Sequence, residues 1–262
     1  MFIAETDSTN NLLRDKYLEE DDLFTIRADY QTAGRGQLGN GWESERGKNL
    51  LFSTLLCDWH IPVSRQFFIN QTVTLSLYRA VFQTLTTDRQ PLLTVKWPND
   101  IYYGDRKLAG ILIENIWHGM EVGRSIAGIG LNVNQTLFRS SAPNPISLCQ
   151  ITGAEYDCET LLRRFLDSLR QYRQLLHDSR KDMETVFQSV ADEYLCVLYR
   201  RDGMFLWENR EVSSEPSMPQ MTRNNDQFMA RIDTILPSGE LVLLTADNKR
   251  RTFHFKQVRY VL

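Results

Sequence analysis

Apolar residues fall into two regimes along this chain. Up to about residue 198 they form long or strongly periodic runs. Asp7-Ser8-Thr9-Asn10 offers N-cap residues, and Leu12, Leu13, Tyr17 and Leu18 follow at helical spacing, which predicts a helix over 9–19. Residues 23–28 and 50–57 read as β-prone runs on either side of a glycine-rich loop. Residues 64–85 hold Phe67, Phe68, Val73, Leu75, Leu77, Val81, Phe82 and Leu85 without a breaker, predicting a long buried helix. Strands are expected over 92–97, 101–103, 108–117 and 122–133, with turns at Gly104-Asp105 and His118-Gly119. That is a run of antiparallel structure. A Pro/Ser/Asn loop covers 140–146. Helices follow over 160–176, where Leu161, Leu162, Phe165, Leu166, Leu169, Tyr172 and Leu176 make one apolar side, and over 183–198.

From Tyr199 the pattern changes. Short alternating stretches at 203–207, 228–232, 240–244 and 251–255 are separated by Pro237-Ser238-Gly239 and Asp247-Asn248, as in a small β-barrel or sandwich. The expected fold is α/β (α+β): a mixed, mostly antiparallel sheet packed on helices in residues 1–200, then a small β domain in 201–262.

Composition narrows the function. A chain of 262 residues suits one large domain or a large and a small one. Its net charge of −3 and pI near 5.9 speak against a broad nucleic-acid surface. The four cysteines show no C-x-x-C spacing, so reduced thiols are expected rather than zinc or disulfides. No apolar run reaches membrane-spanning length, and the start lacks a basic segment followed by an apolar one. A cytoplasmic protein is expected.

Five of the fourteen glycines lie in residues 31–49, at Gly34, Gly36, Gly39, Gly41 and Gly47, with Arg35, Arg46, Lys48 and Trp42 among them. Glycine lets backbone approach a ligand closely, and the cations suit an anion. Gly34, Gly36 and Gly39 spell G-x-G-x-x-G, but residues 40–47 have no helical period. The fingerprint of a dinucleotide fold needs a helix to hold the pyrophosphate, so a nicotinamide dehydrogenase is rejected. No P-loop or kinase motif occurs. Alone, the segment reads equally as a flexible surface loop.

Three further segments carry chemistry. Lys96-Trp97-Pro98-Asn99-Asp100 is either a strand ending in a turn or a cation, an amide and a carboxylate gathered at a strand end. Lys107 leads into a strand whose position 110 is glycine, a sign of close approach by a ligand or another backbone. Gly128-Ile129-Gly130-Leu131-Asn132-Val133-Asn134 places two glycines in one strand, sensible if something lies against that face.

Taken in order, these segments resemble the biotin protein ligases. The loop matches G-R-G-x-x-G-x-x-W, and the later segments match K-W-P-N-D, K-L-A-G-I-L and G-I-G-x-N-V-N. Ser8-Thr9-Asn10 matches the opening S-T-N. The resemblance runs over residues 4–134, with the β-rich tail fitting the family's SH3-like C-terminal domain and the larger domain being class II synthetase-like. It implies ATP-dependent activation of biotin to biotinyl-5′-AMP, then transfer of biotin to one lysine of a biotin carboxyl carrier domain.

It implies Lys107 and Arg35 as catalytic residues. Around biotin it places Ser8, Thr9, Asn10, Gln31, Gly34, Arg35, Gly36, Gln37, Lys107 and Gly110. Around the nucleotide it places Trp42, Asn99, Asp100 and Asn132, with Asp100 as a ligand for Mg²⁺, which accompanies ATP. Gln37 and Asn40 stand where many relatives carry basic residues, which thins the positive charge of the loop. The S-T-N segment begins at residue 8, so no DNA binding is expected. Edge strands of the sheet would allow a homodimer, but nothing selects one. Two other functions stay open: a lipoate or octanoate ligase of the same superfamily, and a non-catalytic biotin or nucleotide sensor.

Overall fold

The computed structural model describes residues 1–139, 144–178, 182–210 and 227–261. Its larger sheet comprises β1 (Phe2–Thr6), β2 (Thr25–Gln31), β3 (Leu50–Pro62), β4 (Leu93–Lys96), β5 (Asp100–Tyr103), β6 (Arg106–His118) and β7 (Glu121–Leu131). The strands run in the order β1-β2-β3-β7-β6-β5-β4, and every neighbouring pair is antiparallel except β1 with β2. The helices are α1 (Thr9–Lys16), α2 (Phe67–Phe82), α3 (Leu148–Thr152), α4 (Cys158–Asp178) and α5 (Met183–Cys196). A second, five-stranded antiparallel sheet holds β8 (Phe205–Asn209), β9 (Gln227–Ile235), β10 (Leu241–Thr245), β11 (Arg250–Phe253) and β12 (Val258–Tyr260), ordered β11-β10-β9-β8-β12. This is the expected mostly antiparallel sheet on helices with a small SH3-like β domain. No described helix is long and apolar enough to cross a membrane.

Side chains alternate across a strand, so each face of the large sheet serves one layer. Leu50, Phe52 and Leu56 of β3, Ala127, Ile129 and Leu131 of β7 and Ala109 and Ile111 of β6 join the main core with α2, α4 and α5. α2 is buried nearly all round because it lies inside that core, with the Thr72 and Ser76 hydroxyls bonded back to its own carbonyls, whereas α4 buries one stripe, Leu161, Leu162, Phe165, Leu169, Tyr172 and Leu176. The opposite face carries a smaller core of Leu13 from α1 with Ile26, Leu55, Cys57 and Ile126. Next to that core the same face opens into the site described below.

Several elements differ from the sequence expectation. α1 ends at Lys16 rather than residue 19, ahead of the acidic run Glu19-Glu20-Asp21-Asp22, whose charge opposes a helix C-terminus. β2 starts at Thr25, because Leu23 takes φ +65°, and continues through Asp29 to Gln31. β3 runs on to Pro62 past a register shift where Asp58 and His60 take φ +58° and +53°. β1 and β12 were not anticipated; β1 is a mostly exposed edge without an apolar alternation. α3 was missed too, although Ser147 and Gln150 form a capping box that S-x-x-Q encodes. Of the expected loop 140–146, residues 140–143 lie outside the described residues.

The two sheets meet. Trp97 Nε1 donates to Gly239 O at 3.0 Å, and a Cβ on Gly239 would stand 2.7 Å from the Phe67 ring. Trp97 also meets Phe255 edge-on with centroids 5.9 Å apart, and Tyr260 packs against Tyr199 and Trp207.

Candidate active site

Three central strands make a floor whose register can be read row by row. Leu51, Gly130 and Gly110 are partners across β3, β7 and β6; so are Ser53, Gly128 and Leu112; so are Leu55, Ile126 and Glu114. The middle column is bare at its two glycines, which sinks a trough into the sheet. Into that trough come α1, the glycine-rich loop and Lys107.

Asn10 fills the space over Gly128, where a Cβ would lie 1.9 Å from Asn10 Oδ1. Ser53 Oγ lies 2.5 Å from that oxygen as donor, and Asn10 Nδ2 donates to Glu114 Oε2 at 2.9 Å. Ser53 Oγ also reaches Thr9 Oγ1 at 2.7 Å. The Thr9 backbone N–H and hydroxyl both donate to Gln31 Oε1, at 2.7 and 3.0 Å. That fixes the Gln31 amide and leaves its Nε2 as a donor for the cavity. Ser8 is buried at the N-cap of α1, yet its hydroxyl makes no capping bond. A hydroxyl, an amide N–H and an amide oxygen are thus gathered at one end of the trough.

The loop closes over the trough as a tight hairpin. Trp42 N donates to Gly34 O at 2.9 Å and Gly36 N to Asn40 O at 2.7 Å, with a single 3₁₀ turn over Gln37–Gly39. No α-helix opens after the glycines. Gly34 needs its missing side chain, because a Cβ would lie 2.6 Å from Trp42 O. The Trp42 indole lies on the Gly110–Gly130 pair, 2.4 Å from a Cβ built at 130 and 2.9 Å from one at 110. Its Nε1 is buried without a partner.

Lys107 owes its position to a bulge. Ile101 pairs with Ala109 but Tyr102 with Lys107, so one residue is inserted in β6 there. An extra residue flips the alternation. Leu108 and Ala109 both join the main core, and Lys107 turns to the side of Gly110, with Nζ 3.3 Å from a Cβ at 110. Its backbone is clamped by the segment after 143: Lys107 N donates to Asn144 O and Ile146 N to Lys107 O, both at 2.9 Å. Lys107 Nζ stands 2.8 Å from Asp100 Oδ2 and 5.8 Å from the Trp42 ring centre. Nearby, Lys96 Nζ donates to the Tyr102 hydroxyl at 3.1 Å; burial pulls the Lys96 pKa down and pushes that of Tyr102 up.

Two adjoining cavities result. The smaller, about 140 Å³, is lined by Ser8, Thr9, Asn10, Gln31, Arg35, Gly36, Gln37 and Gly110, with Trp42, Asp100 and Lys107 at its border. The larger, about 860 Å³, shares Gln31, Trp42, Asp100 and Lys107 and adds Gly34, Tyr102 and Asn132. Asn132 also donates to Ile146 O at 3.1 Å. Of the expected site residues, Asn99 lines neither cavity. It is buried, and its Nδ2 donates to Ile111 O at 2.8 Å, which ties the β4–β5 turn to β6. Sequence reasoning missed Ser53, Leu112, Glu114 and Phe255. Ser53 was marked by a polar pair inside the run Leu50 to Cys57; Phe255, from the small domain, carried no signal.

Known proteins resemble this chain in sequence and in fold. The profile of the Biotin/lipoate A/B protein ligase family matches residues 2–132, half of the chain. The Bifunctional ligase/repressor BirA of Escherichia coli (strain K12) is 34% identical over 167 residues, covering 63% of this chain and 50% of that one. The Biotin--protein ligase 1, chloroplastic, of Arabidopsis thaliana is 33% identical over 237 residues, covering 86% and 57%. The chain thus spans about half the length of these relatives. In fold it is similar to the Biotin protein ligase from Aquifex aeolicus in complex with biotin and ATP, with a TM-score of 0.73, 21% identity and coverage of 100% and 98%. A family match over half the chain, carried by the residues that build the trough, means that the chain belongs to the Biotin/lipoate A/B protein ligase family.

Proposed function

We propose that the chain joins biotin to ATP, releases pyrophosphate, and transfers biotin from biotinyl-5′-AMP to a lysine of a biotin carboxyl carrier domain. The observation that carries this reading is Lys107, beside Asp100 on the border between a small polar-headed cavity and a large open one. The cyclic urea of biotin presents one carbonyl and two N–H groups. Ser8, the Gln31 amide nitrogen and Asn10 Oδ1 complement them. The larger cavity, with Trp42, Asn132 and Gly34, takes the nucleotide.

In the first step a biotin carboxylate oxygen bonds to the α-phosphorus as the bond to the bridging oxygen of the β-phosphate breaks, and pyrophosphate leaves. Two anions must approach, so a fixed cation aimed at both is the largest contribution the protein can make. Lys107 is that cation, oriented by its clamped backbone and Asp100; Arg35 adds charge from the loop. In the second step the acceptor amine attacks the acyl carbon and AMP departs. Mg²⁺ is commonly held by one or two carboxylates plus phosphate oxygens. Asp100 fits that description as the carboxylate on the border, and the described residues show no cluster of three or more metal-type side chains. When bound, the ion would offset phosphate charge. Residues 1–200 would form the catalytic unit and 201–262 the small domain, acting in the cytoplasm.

The test is biotin-dependent exchange between pyrophosphate and ATP, followed by labelling of a carrier domain. Exchange and labelling with biotin are expected. Exchange with lipoate or octanoate but not biotin would overturn the reading, and adenylation without transfer would mark a sensor.

A further inference from the structure

Glu114 lies two residues past the K-L-A-G-I-L match, and three donors from two other elements converge on it. It lies four residues beyond Gly110 on the same face of β6, so it continues the floor of the trough toward α1. Its Oε2 accepts from Asn10 Nδ2 at 2.9 Å. Its Oε1 accepts from Arg35 Nη2 at 3.2 Å and Arg14 Nη1 at 3.5 Å. The Arg35 guanidinium is held from a second side, with Nη1 donating to Asn11 Oδ1 at 2.7 Å. One carboxylate, about a quarter exposed, thus joins Asn10 of α1, at the polar end of the small cavity, to the arginine of the loop that covers it.

We propose that Glu114 is a positioning residue for substrate capture, setting the Asn10 amide and latching the loop through Arg35. The inference rests on the small cavity taking biotin. The two contacts have different chemistry. A neutral acceptor satisfies Asn10 as well as a carboxylate does. The latch to Arg35 is a charge-assisted bond and weakens without the negative charge. Glu114→Gln therefore separates them: its amide oxygen keeps Asn10 in place while the latch loosens. Glu114→Ala removes both. The competing arrangement, in which Glu114 withholds Arg35 from the ligand, predicts the opposite sign.

The experiment measures biotin association and dissociation directly, without ATP, alongside tryptic cleavage after Arg35 in the ligand-free proteins. For Glu114→Gln the association rate should stay within about twofold and dissociation should speed up about fivefold to tenfold, an order-of-magnitude expectation for one charge-assisted contact. Glu114→Ala should also slow association, and both variants should be cleaved faster than the wild type. Arg35→Met should reproduce the faster dissociation, and adding it to Glu114→Gln should change little more. Wild-type dissociation in Glu114→Gln, or tighter binding, would overturn the proposal. A wild type that binds no biotin would overturn the proposed function instead, and loop cleavage would still decide the latch: unchanged cleavage in Glu114→Gln removes it.

Discussion

The side-chain amide of Asn10 occupies the space that a Cβ on Gly128 would need, with Oδ1 only 1.9 Å from that point. The two residues are far apart in sequence, and each is intelligible only through the other. Glycine in a central strand costs packing and conformational entropy; here it makes room for a polar group that Ser53 and Glu114 hold on either side. Gly128→Ala should expel the amide and leave buried polar partners unsatisfied, at about 1–3 kcal/mol per group. The expected outcome is biotin affinity weaker by roughly tenfold or more, with a lowered melting temperature. Calorimetric titration with biotin checks it; wild-type affinity would show that Asn10 has other room to settle.

Lys107 tests the chemistry apart from the fold. Its side chain and that of Asp100 are each about a third exposed or less, and partly exposed ion pairs contribute little to stability. Lys107→Ala should leave the melting temperature nearly unchanged and slow adenylate formation by about 10²–10³, the range seen when one preorganised charge-stabilising donor is lost. Single-turnover formation of biotinyl-5′-AMP is the measurement. Near-normal rates would remove Lys107 from its role.

How far the sequence revealed this site depended on what each residue had to announce. Gly110, Gly130, Lys107 and the loop glycines stand out because they break strand or helix patterns, and the structure brings them together. The bulge that turns Lys107 to the cavity was not legible: a one-residue insertion changes the register without changing composition. Asn99 shows the converse. Its motif position invites a ligand role and says nothing of the bond its amide makes to the backbone of β6. Most helices and central strands followed from periodicity, whereas β1, an exposed edge of Phe-Ile-Ala-Glu-Thr, exists through pairing with β2 rather than through its own pattern. Phe255 reaches the cavity only through the docking of two sheets, a long-range relationship that local pattern does not encode.

Trp42 carries a buried indole N–H with no partner. Such a group has lost its bond to water and gained nothing in return. Trp42→Phe removes the donor and keeps an aromatic ring over Gly110 and Gly130. In the ligand-free protein this change should be neutral or stabilising by up to about 1 kcal/mol, against the loss of several usual for truncating a buried large side chain. Urea unfolding compares the two. A clear destabilisation would mean that the outer ring of the indole, rather than its polar edge, dominates this contact.

Phe255 gives the small domain a direct part in the site. It lines the smaller cavity while remaining 41% exposed, on a turn where His254 N donates to Gln257 Oε1 at 2.6 Å and Lys256 takes φ +71°. Its ring meets Trp97 edge-on, and Trp97 is anchored to Gly239 of the same domain. Phe255→Ala should therefore change stability little, because half-exposed apolar surface contributes modestly at about 25 cal/mol per Å². It should open one wall of the cavity and raise the KM for biotin by roughly threefold to tenfold, equivalent to about 1 kcal/mol of lost contact. Steady-state exchange kinetics at saturating ATP separate this from a folding defect: a raised KM with a normal kcat is expected. A fall in kcat alone would instead place the contribution of the small domain in the chemical step, and unchanged kinetics would confine it to supporting Trp97.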